Sequence, residues 1–234
     1  MKNNESVIIG ILPVMLDAYK LYDSKYRVIQ EKFVNDLAAE LNNFAKIEIA
    51  QICSERQVVQ KEITHLAQLG VKGLVVLFTS YAPSMILLEP LLSTTLPILL
   101  FNTSPKAEMG EGYSMTDILF NHGLHGNMDL ANMLTRNKRK YSVVAGYYRN
   151  TRILGQIDKW ISLCCLLSEM NNSKIGITGN PFDGMGDLGI DYSLIHSLFG
   201  TEVVTIPSAQ IAISLASVKE EEIITENERD KQLY

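Results

Sequence analysis

Val7-Ile8-Ile9-Gly10-Ile11-Leu12 runs without a polar side chain until Pro13 breaks it. A continuous apolar run of that length reads as a strand buried on both faces, the environment of a parallel sheet covered by helices. The period then changes. Tyr26, Ile29, Phe33, Leu37 and Leu41 recur at spacings of three and four, which marks one stripe of a helix. Ile47 to Ile52 returns to strand. Ser54 is placed to cap a further helix, with a stripe of Val58, Ile63, Leu66 and Leu69, that Gly70 stops.

The alternation continues. Gly73 to Phe78 is a third strand, Pro83 to Leu92 a helix and Pro97 to Phe101 a fourth strand. A helix from about His125 to Asn137 precedes the strand Tyr141 to Gly146, and a long helix places Ile153, Ile157, Trp160, Cys164 and Leu167 on one side. Strands alternating with helices predict an α/β fold, a Rossmann-like parallel sheet sandwiched by helices. Asn171-Asn172-Ser173 is the expected boundary, giving an N-terminal Rossmann-like domain over 1–171 and a second α/β unit over 172–234. That second unit reads as a strand Lys174 to Thr178, a helix near Leu188 to Leu198 and a strand Glu202 to Ile206. Two parallel strands and one crossover helix cannot bury both faces of their sheet. The unit is therefore expected to be incomplete, either docked on another surface or opening the later part of a longer protein. The charged tail from Lys219 reads as a solvated helix or a linker.

Hydrophobic residues make up 47% and charged residues 20% of the chain, a balance that supports a sizeable core and excludes disorder. The net charge of -5 argues against a nucleic-acid surface. The basic run Arg136-Asn137-Lys138-Arg139-Lys140 reads as a solvated helix end, where cations complement the dipole. Cys53, Cys164 and Cys165 offer neither a disulfide framework nor a CxxC metal spacing, which fits a reducing compartment. Met1 to Glu5 carries no cleavage pattern, and no run approaches the ~18 apolar residues of a membrane span. A cytoplasmic protein without membrane or nucleic-acid partners is expected.

In open α/β sheets, ligands bind beyond the carboxyl ends of the strands. Phe78-Thr79-Ser80-Tyr81-Ala82-Pro83 puts hydroxyls and an aromatic ring at one such end, and Gly146-Tyr147-Tyr148-Arg149 puts two aromatics and a guanidinium at another. Rings that cover C–H faces and polar groups that match hydroxyls are the chemistry of a sugar or similar small metabolite. Ser104 to Ser114 reads as a long loop on the same side, delivering the chain into Asn121-His122-Gly123-Leu124-His125-Gly126. His122 and His125 stand at i and i+3, so on a helix they share a face and can hydrogen-bond a polar ligand. Asp117 and Asp129 do not clearly converge with them as further metal ligands. The loop Gly179 to Asp187 is not a GxGxxG phosphate loop, and Asp183 and Asp187 would repel a phosphate. Asp187 is the expected cap of the helix that follows, and Met185 a pocket-lining side chain. There is no GxSxG elbow, and Cys164 and Cys165 lie on an apolar helix, so no nucleophile is expected.

His122, His125-Gly126, the helix Asp129 to Thr135, the strand ending Gly146-Tyr147-Tyr148, the turn Tyr81-Ala82-Pro83 and Met185 together resemble the L-arabinose and L-fucose isomerase family, over nearly the whole chain. The resemblance implies an N-terminal Rossmann-like domain and the start of a central α/β domain from an aldose–ketose isomerase. Such enzymes work through an enediol, with a Mn²⁺-type metal polarising sugar oxygens and carboxylates moving protons. It further implies that His122, His125, Tyr81 and Met185, with Tyr147 beside them, are substrate-binding, and that this chain holds no catalytic residue and no metal ligand. The Mn²⁺ site of a full-length member would be built from later residues. It also implies a homo-oligomer in which this domain helps cover a neighbour's site. His122 stands where the arabinose branch commonly has an amide, and Pro13 to Tyr22 lacks that branch's Gln-containing turn, so the sugar is left open. Two other readings remain: a sugar-binding or sensor module of periplasmic-binding-protein-like architecture, and an oligomerisation domain without a ligand.

Overall fold

Strands with no water-facing alternation must be covered on both sides, and the chain meets that demand by distributing its helices over both faces of one sheet. A computed structural model of the chain describes residues 7–21, 24–108, 110–180, 182–186 and 189–233. The chain divides into two compact units, Met1–Leu166 and Leu167–Tyr234.

In the first unit the elements run β1 Ile8–Val14, α1 Ser24–Leu41, β2 Lys46–Ile49, α2 Arg56–Gln68, β3 Leu74–Phe78, α3 Leu88–Ser93, β4 Ile98–Asn102, α4 Met115–Asn121, α5 Gly123–Arg136, β5 Ser142–Ala145 and α6 Thr151–Asn171. The strands form one five-stranded sheet in the order β2-β1-β3-β4-β5, parallel at every pairing. Side chains alternate across it. Ile9, Ile11, Val75, Leu77, Leu99, Phe101 and Val144 pack under α1, α4 and α6 through Phe33, Leu37, Phe120, Ile157 and Trp160. Leu12, Val14, Leu74, Val76, Phe78 and Leu100 pack under α2, α3 and α5 through Val59, Ile63, Leu66, Leu91, Leu130 and Leu134. No helix among the described residues is long and apolar enough to cross a membrane.

Several local readings need correction. On α1 it is Gln30 that is fully buried while Ile29 is exposed, because the Gln30 amide has a polar partner at the strand ends. The α2 stripe runs through Val59, Ile63 and Leu66, and Leu69 is exposed. Ser54 does not cap α2: the N-cap is Glu55, and the Ser54 hydroxyl donates to Asp17 Oδ1 at 2.9 Å. The helix expected from Pro83 is a short 3-10 turn, Ser84–Ile86, followed by α3. The expected solvated run holds a structural group. The Arg139 guanidinium donates to the carbonyl oxygens of Leu91, Thr94 and Leu96 at 3.1, 2.9 and 2.6 Å, closing the end of α3, and its burial lowers its pKa. Lys138, at φ 57, turns the chain out of α5 so that Arg139 can reach back.

The second unit pairs β6 Lys174–Ile177 in parallel with β7 Glu202–Thr205 and adds α7 Tyr192–Phe199, α8 Ser208–Ser217 and α9 Glu220–Leu233. Asp191 caps α7, accepting from Ser193 N at 2.9 Å and Leu194 N at 3.1 Å; Asp187, the cap expected from sequence, lies outside the described residues. Gly200, at φ 71, ends α7 in the left-handed conformation that glycine adopts without strain. No described residue of α7, α8 or α9 is buried.

Arg139→Met keeps the aliphatic stem and removes the donors to three carbonyls. The expected loss is about 2 kcal/mol, read from urea unfolding monitored by circular dichroism; a change below about 0.5 kcal/mol would show that the α3 end holds without this clip.

Candidate functional site

β1 connects to β2 on one side and β2 connects to β3 on the other, so the order β2-β1-β3-β4-β5 reverses between β1 and β3. In open parallel sheets such a switch point is where ligands bind, beyond the carboxyl ends. Here the strand ends carry a buried polar node. Thr79 follows β3; its backbone N–H and its hydroxyl both donate to Val14 O, each at 3.0 Å. From α1, Gln30 Nε2 donates to Thr79 Oγ1 at 2.8 Å, and the Tyr26 hydroxyl donates to Thr79 O at 3.1 Å. Burial pushes the Tyr26 phenol well above its usual value, and hydrogen bonding with Ser80 and Gln30 only partly offsets this. It therefore stays a donor.

The segment that carries the histidines passes over the carboxyl end of β3. α4 packs on one face of the sheet through Leu119 and Phe120, α5 on the other through Leu130 and Leu134. Between them, at His122-Gly123, the chain crosses the carboxyl edge of β3. A Cβ on Gly123 would lie 2.7 Å from Phe78 O, and one on Gly126 would meet the Phe78 ring and stand 3.2 Å from Ala82 O. Only glycine permits so close a crossing. His122 is the last cap of α4 and the first of α5, at φ -61 and ψ -15. The expected pairing of His122 with His125 on one helix face becomes a pairing across this junction, with ring centroids 5.6 Å apart and planes at 70°. His125 is exposed and His122 half-buried.

Tyr81 is tied to the same edge. Ser84 N, three residues on, donates to Asp129 Oδ2 on α5 at 2.9 Å, which fixes the loop after β3 against the helix that follows the histidines. Three buried side-chain atoms near this edge have no hydrogen-bond partner among the described residues: Gln30 Oε1, Thr103 Oγ1 and Asn127 Oδ1. Asn127 Nδ2 donates to Gly123 O at 3.0 Å, so its amide stands one turn into α5 from the crossing.

Tyr147 lies at the end of β5 and packs on Tyr148, centroids 5.0 Å apart, against the core of that sheet face. Tyr148 is itself buried edge-on to Phe33. Arg149 stacks on Tyr148 and pairs with Glu40 at 2.9 Å, so this strand end anchors α1. Met185 belongs to the second unit, where it is exposed in the loop after β6 and its N–H donates to Phe182 O at 3.2 Å. The structure thus groups His122, His125 and the Tyr81 loop at one edge, with Tyr147 at a strand end beyond β4 and Met185 in a separate unit.

Sequence reasoning missed α4 and the acid that starts it. Ser114-Met115-Thr116-Asp117 before an apolar pair is a capping-box pattern, and the box is present: Ser114 Oγ accepts from Asp117 N at 3.2 Å, and Asp117 Oδ2 accepts from Ser114 N at 2.8 Å. Lys106, on the loop after β4, adds an ion pair at 2.7 Å. Burial pushes the Asp117 carboxyl up, but the Lys106 ammonium and the Ser114 N–H and hydroxyl outweigh it and hold the group below its usual value.

Chemically the edge can bind and orient. Burial pushes the Cys53 and Cys164 thiols up to about 12, which leaves no thiolate to attack. Among the described residues no three His, Cys, Asp or Glu side chains group as a metal site. The two imidazoles alone do not fit the Mn²⁺ of an isomerase centre, which needs several oxygen donors.

Residues 20–172 match the family model described as the L-arabinose isomerase N-terminal domain. The search of curated proteins finds no match to the chain.

Gly123→Ala would force the added methyl against a backbone oxygen, and a destabilisation of about 1–3 kcal/mol is expected in chemical unfolding; an unchanged midpoint would mean the crossing is looser than drawn. Asp117 has a folded pKa below its unfolded value, so its contribution is present above about pH 4 and vanishes as pH falls through the lowered value. The stability gap between the parent chain and Asp117→Asn should therefore be widest near neutral pH and close in acid, and a gap that widens on acidification would contradict the assignment.

Proposed function

The chain belongs to the L-arabinose isomerase N-terminal domain family, and from that premise we propose that it supplies the sugar-recognition surface of an aldose–ketose isomerase. The observation that supports this reading is the glycine crossing, which sets His122 and His125 over the switch point beside the loop of Tyr81. Each imidazole can exchange hydrogen bonds with a sugar hydroxyl, and the Tyr81 ring can cover a C–H face. Tyr147, at the end of β5, is a further proposed sugar contact, and Met185, exposed in the loop after β6, is proposed as a substrate-binding side chain on its own unit. The substrate class is a pentose or hexose aldose.

The isomerisation itself asks for more. Moving a proton between adjacent carbons needs a base poised at the carbon and a Lewis acid or strong donor at the oxygens. In this proposal Mn²⁺ supplies that polarisation, held by groups that these residues do not contribute, and the chain's own side chains hold the sugar in place. A cytoplasmic homo-oligomer, in which one subunit's surface covers a neighbour's chemistry, completes the reading.

The test is a panel of pentoses and hexoses titrated against the purified chain, read by thermal unfolding and by ketose formation with Mn²⁺. Binding at about 100 times Kd should stabilise by about 2.7 kcal/mol, and His122→Ala and His125→Ala should each remove most of that shift while leaving the unliganded melting temperature within about 2 °C. No ketose should form. A melting temperature unmoved by every sugar at tens of millimolar would remove the recognition role, and turnover by this chain with Mn²⁺ would overturn the division of labour.

A further inference from the structure

Two of the unpartnered atoms at the carboxyl edge lie on the same sheet face, and the network around them fixes what each can accept. Thr79 spends its only hydroxyl hydrogen on Val14 O at 3.0 Å. Its oxygen must therefore accept from Gln30, which turns the amide so that Nε2 donates to Thr79 Oγ1 at 2.8 Å. That orientation leaves Gln30 Oε1 buried and without a partner among the described residues. A carbonyl oxygen has no hydrogen of its own, so only a donor can satisfy it. Flipping the amide brings no relief, because it would set Oε1 against an oxygen with no proton left to give.

Thr103 supplies the second atom. β3 and β4 are in register at Leu77 and Phe101, so two residues further on Thr79 and Thr103 stand level at the strand ends. Leu77 and Phe101 belong to the core under α1, α4 and α6, and the strand period of two returns Thr79 and Thr103 to that face. The Thr103 hydroxyl is buried, and it too has no partner among the described residues. Asn127 Oδ1, the third such atom, sits on the buried stripe of α5 with Leu130 and Leu134, against the opposite face.

We propose that one internal water molecule bridges Gln30 Oε1 and Thr103 Oγ1. Neighbouring strands lie about 4.8 Å apart and hydrogen-bonded oxygens about 2.8 Å apart, so the span from the amide held on Thr79 to the Thr103 side chain is that of a single water. The chemistry selects the same ligand. A buried cation would need a free negative charge, and Asp117, the one buried acid among the described residues, is already paired with Lys106 at 2.7 Å. A sugar hydroxyl has no approach to Gln30, which is fully buried. Water donates to the obligate acceptor and exchanges a hydrogen bond with the hydroxyl, which is how buried polar groups in protein interiors are commonly satisfied. The bridge extends the polar node from β1 and β3 to β4, so the loops that carry Tyr81 and Lys106 leave from joined strand ends. This site stands independently of the sugar reading.

Relaxation dispersion of the water oxygen nucleus, measured on the full chain in isotope-enriched water, counts the molecules held inside it. Thr103→Val keeps the side-chain volume and removes the hydroxyl, and should lose one such molecule. Thr103→Ser keeps the hydroxyl and should keep the parent count. Gln30→Met should lose the same molecule, so the double variant with Thr103→Val should also fall by one rather than two. A measurement on the parent chain serves where a variant fails to fold: a nuclear Overhauser cross-peak from water to the Thr103 methyl, with the sign of a long-lived contact, is expected. Equal counts in the parent and Thr103→Val would overturn the proposal. So would a fall of two in the double variant, or a Thr103 methyl with no cross-peak to water.

Discussion

The contact between Gly123 and the carbonyl of Phe78 is the constraint on which the site rests. A chain that leaves one face of a parallel sheet and arrives on the other must pass over an edge, and here it passes over the carboxyl end of β3 with no room for a Cβ. The passage decides three things at once. It lets α4 seat Phe120 against Tyr26 and Phe33 at centroid distances near 5.5 Å, it lets α5 cover Phe78 and Leu100, and it leaves the two imidazoles outside both cores at the junction of the helices. A larger residue at position 123 would lift the crossing and part the two helices from their faces.

Beneath the crossing, polar groups replace the apolar packing that prevails elsewhere. Thr79 gathers hydrogen bonds from α1, from β1 and from its own side chain, so the end of β3 is fixed by directional contacts, each worth about 1 kcal/mol net. Gln30 spends its amide N–H on Thr79 while its Oε1, buried beside the node, has no partner among the described residues, and such an unmade bond costs more than a made one gains. The Asp129 link to Ser84 adds a directional contact at the next loop.

The sheet was the most legible part of the sequence. Apolar runs such as Val7 to Leu12 and Gly73 to Phe78, short and rich in β-branched residues, read as doubly covered strands, and the five strands of the first unit fall on the five runs read for it. Helix stripes were less legible, because hydropathy ranks Ile29 above Gln30 and cannot tell Val58 from Val59, while the fold chose by position. A buried Gln30 is invisible until its partner Thr79 is in place, and Arg139 reads as a surface cation until the end of α3 needs its donors. At the site, the sequence carried the histidine pair and the strand-end loops. It did not carry the crossing, since nothing in Asn121-His122-Gly123 says that the helices on either side belong to opposite faces. Tyr148 and Arg149 shared the aromatic-and-guanidinium pattern of a sugar subsite, and packing against Phe33 and Glu40 gives them another role. The capping box at Ser114 was legible and would have placed α4.

The account turns on whether the imidazoles at the crossing meet a sugar. The most direct measurement is the proton NMR of the ring Cε1–H signals during titration with an aldopentose, since the chain has 4 histidines and the other two, His65 on α2 and His196 on α7 of the second unit, are exposed. The account predicts that the His122 and His125 signals move together and saturate while those of His65 and His196 stay fixed. Movement of all four alike, or of none at saturating sugar, would contradict it.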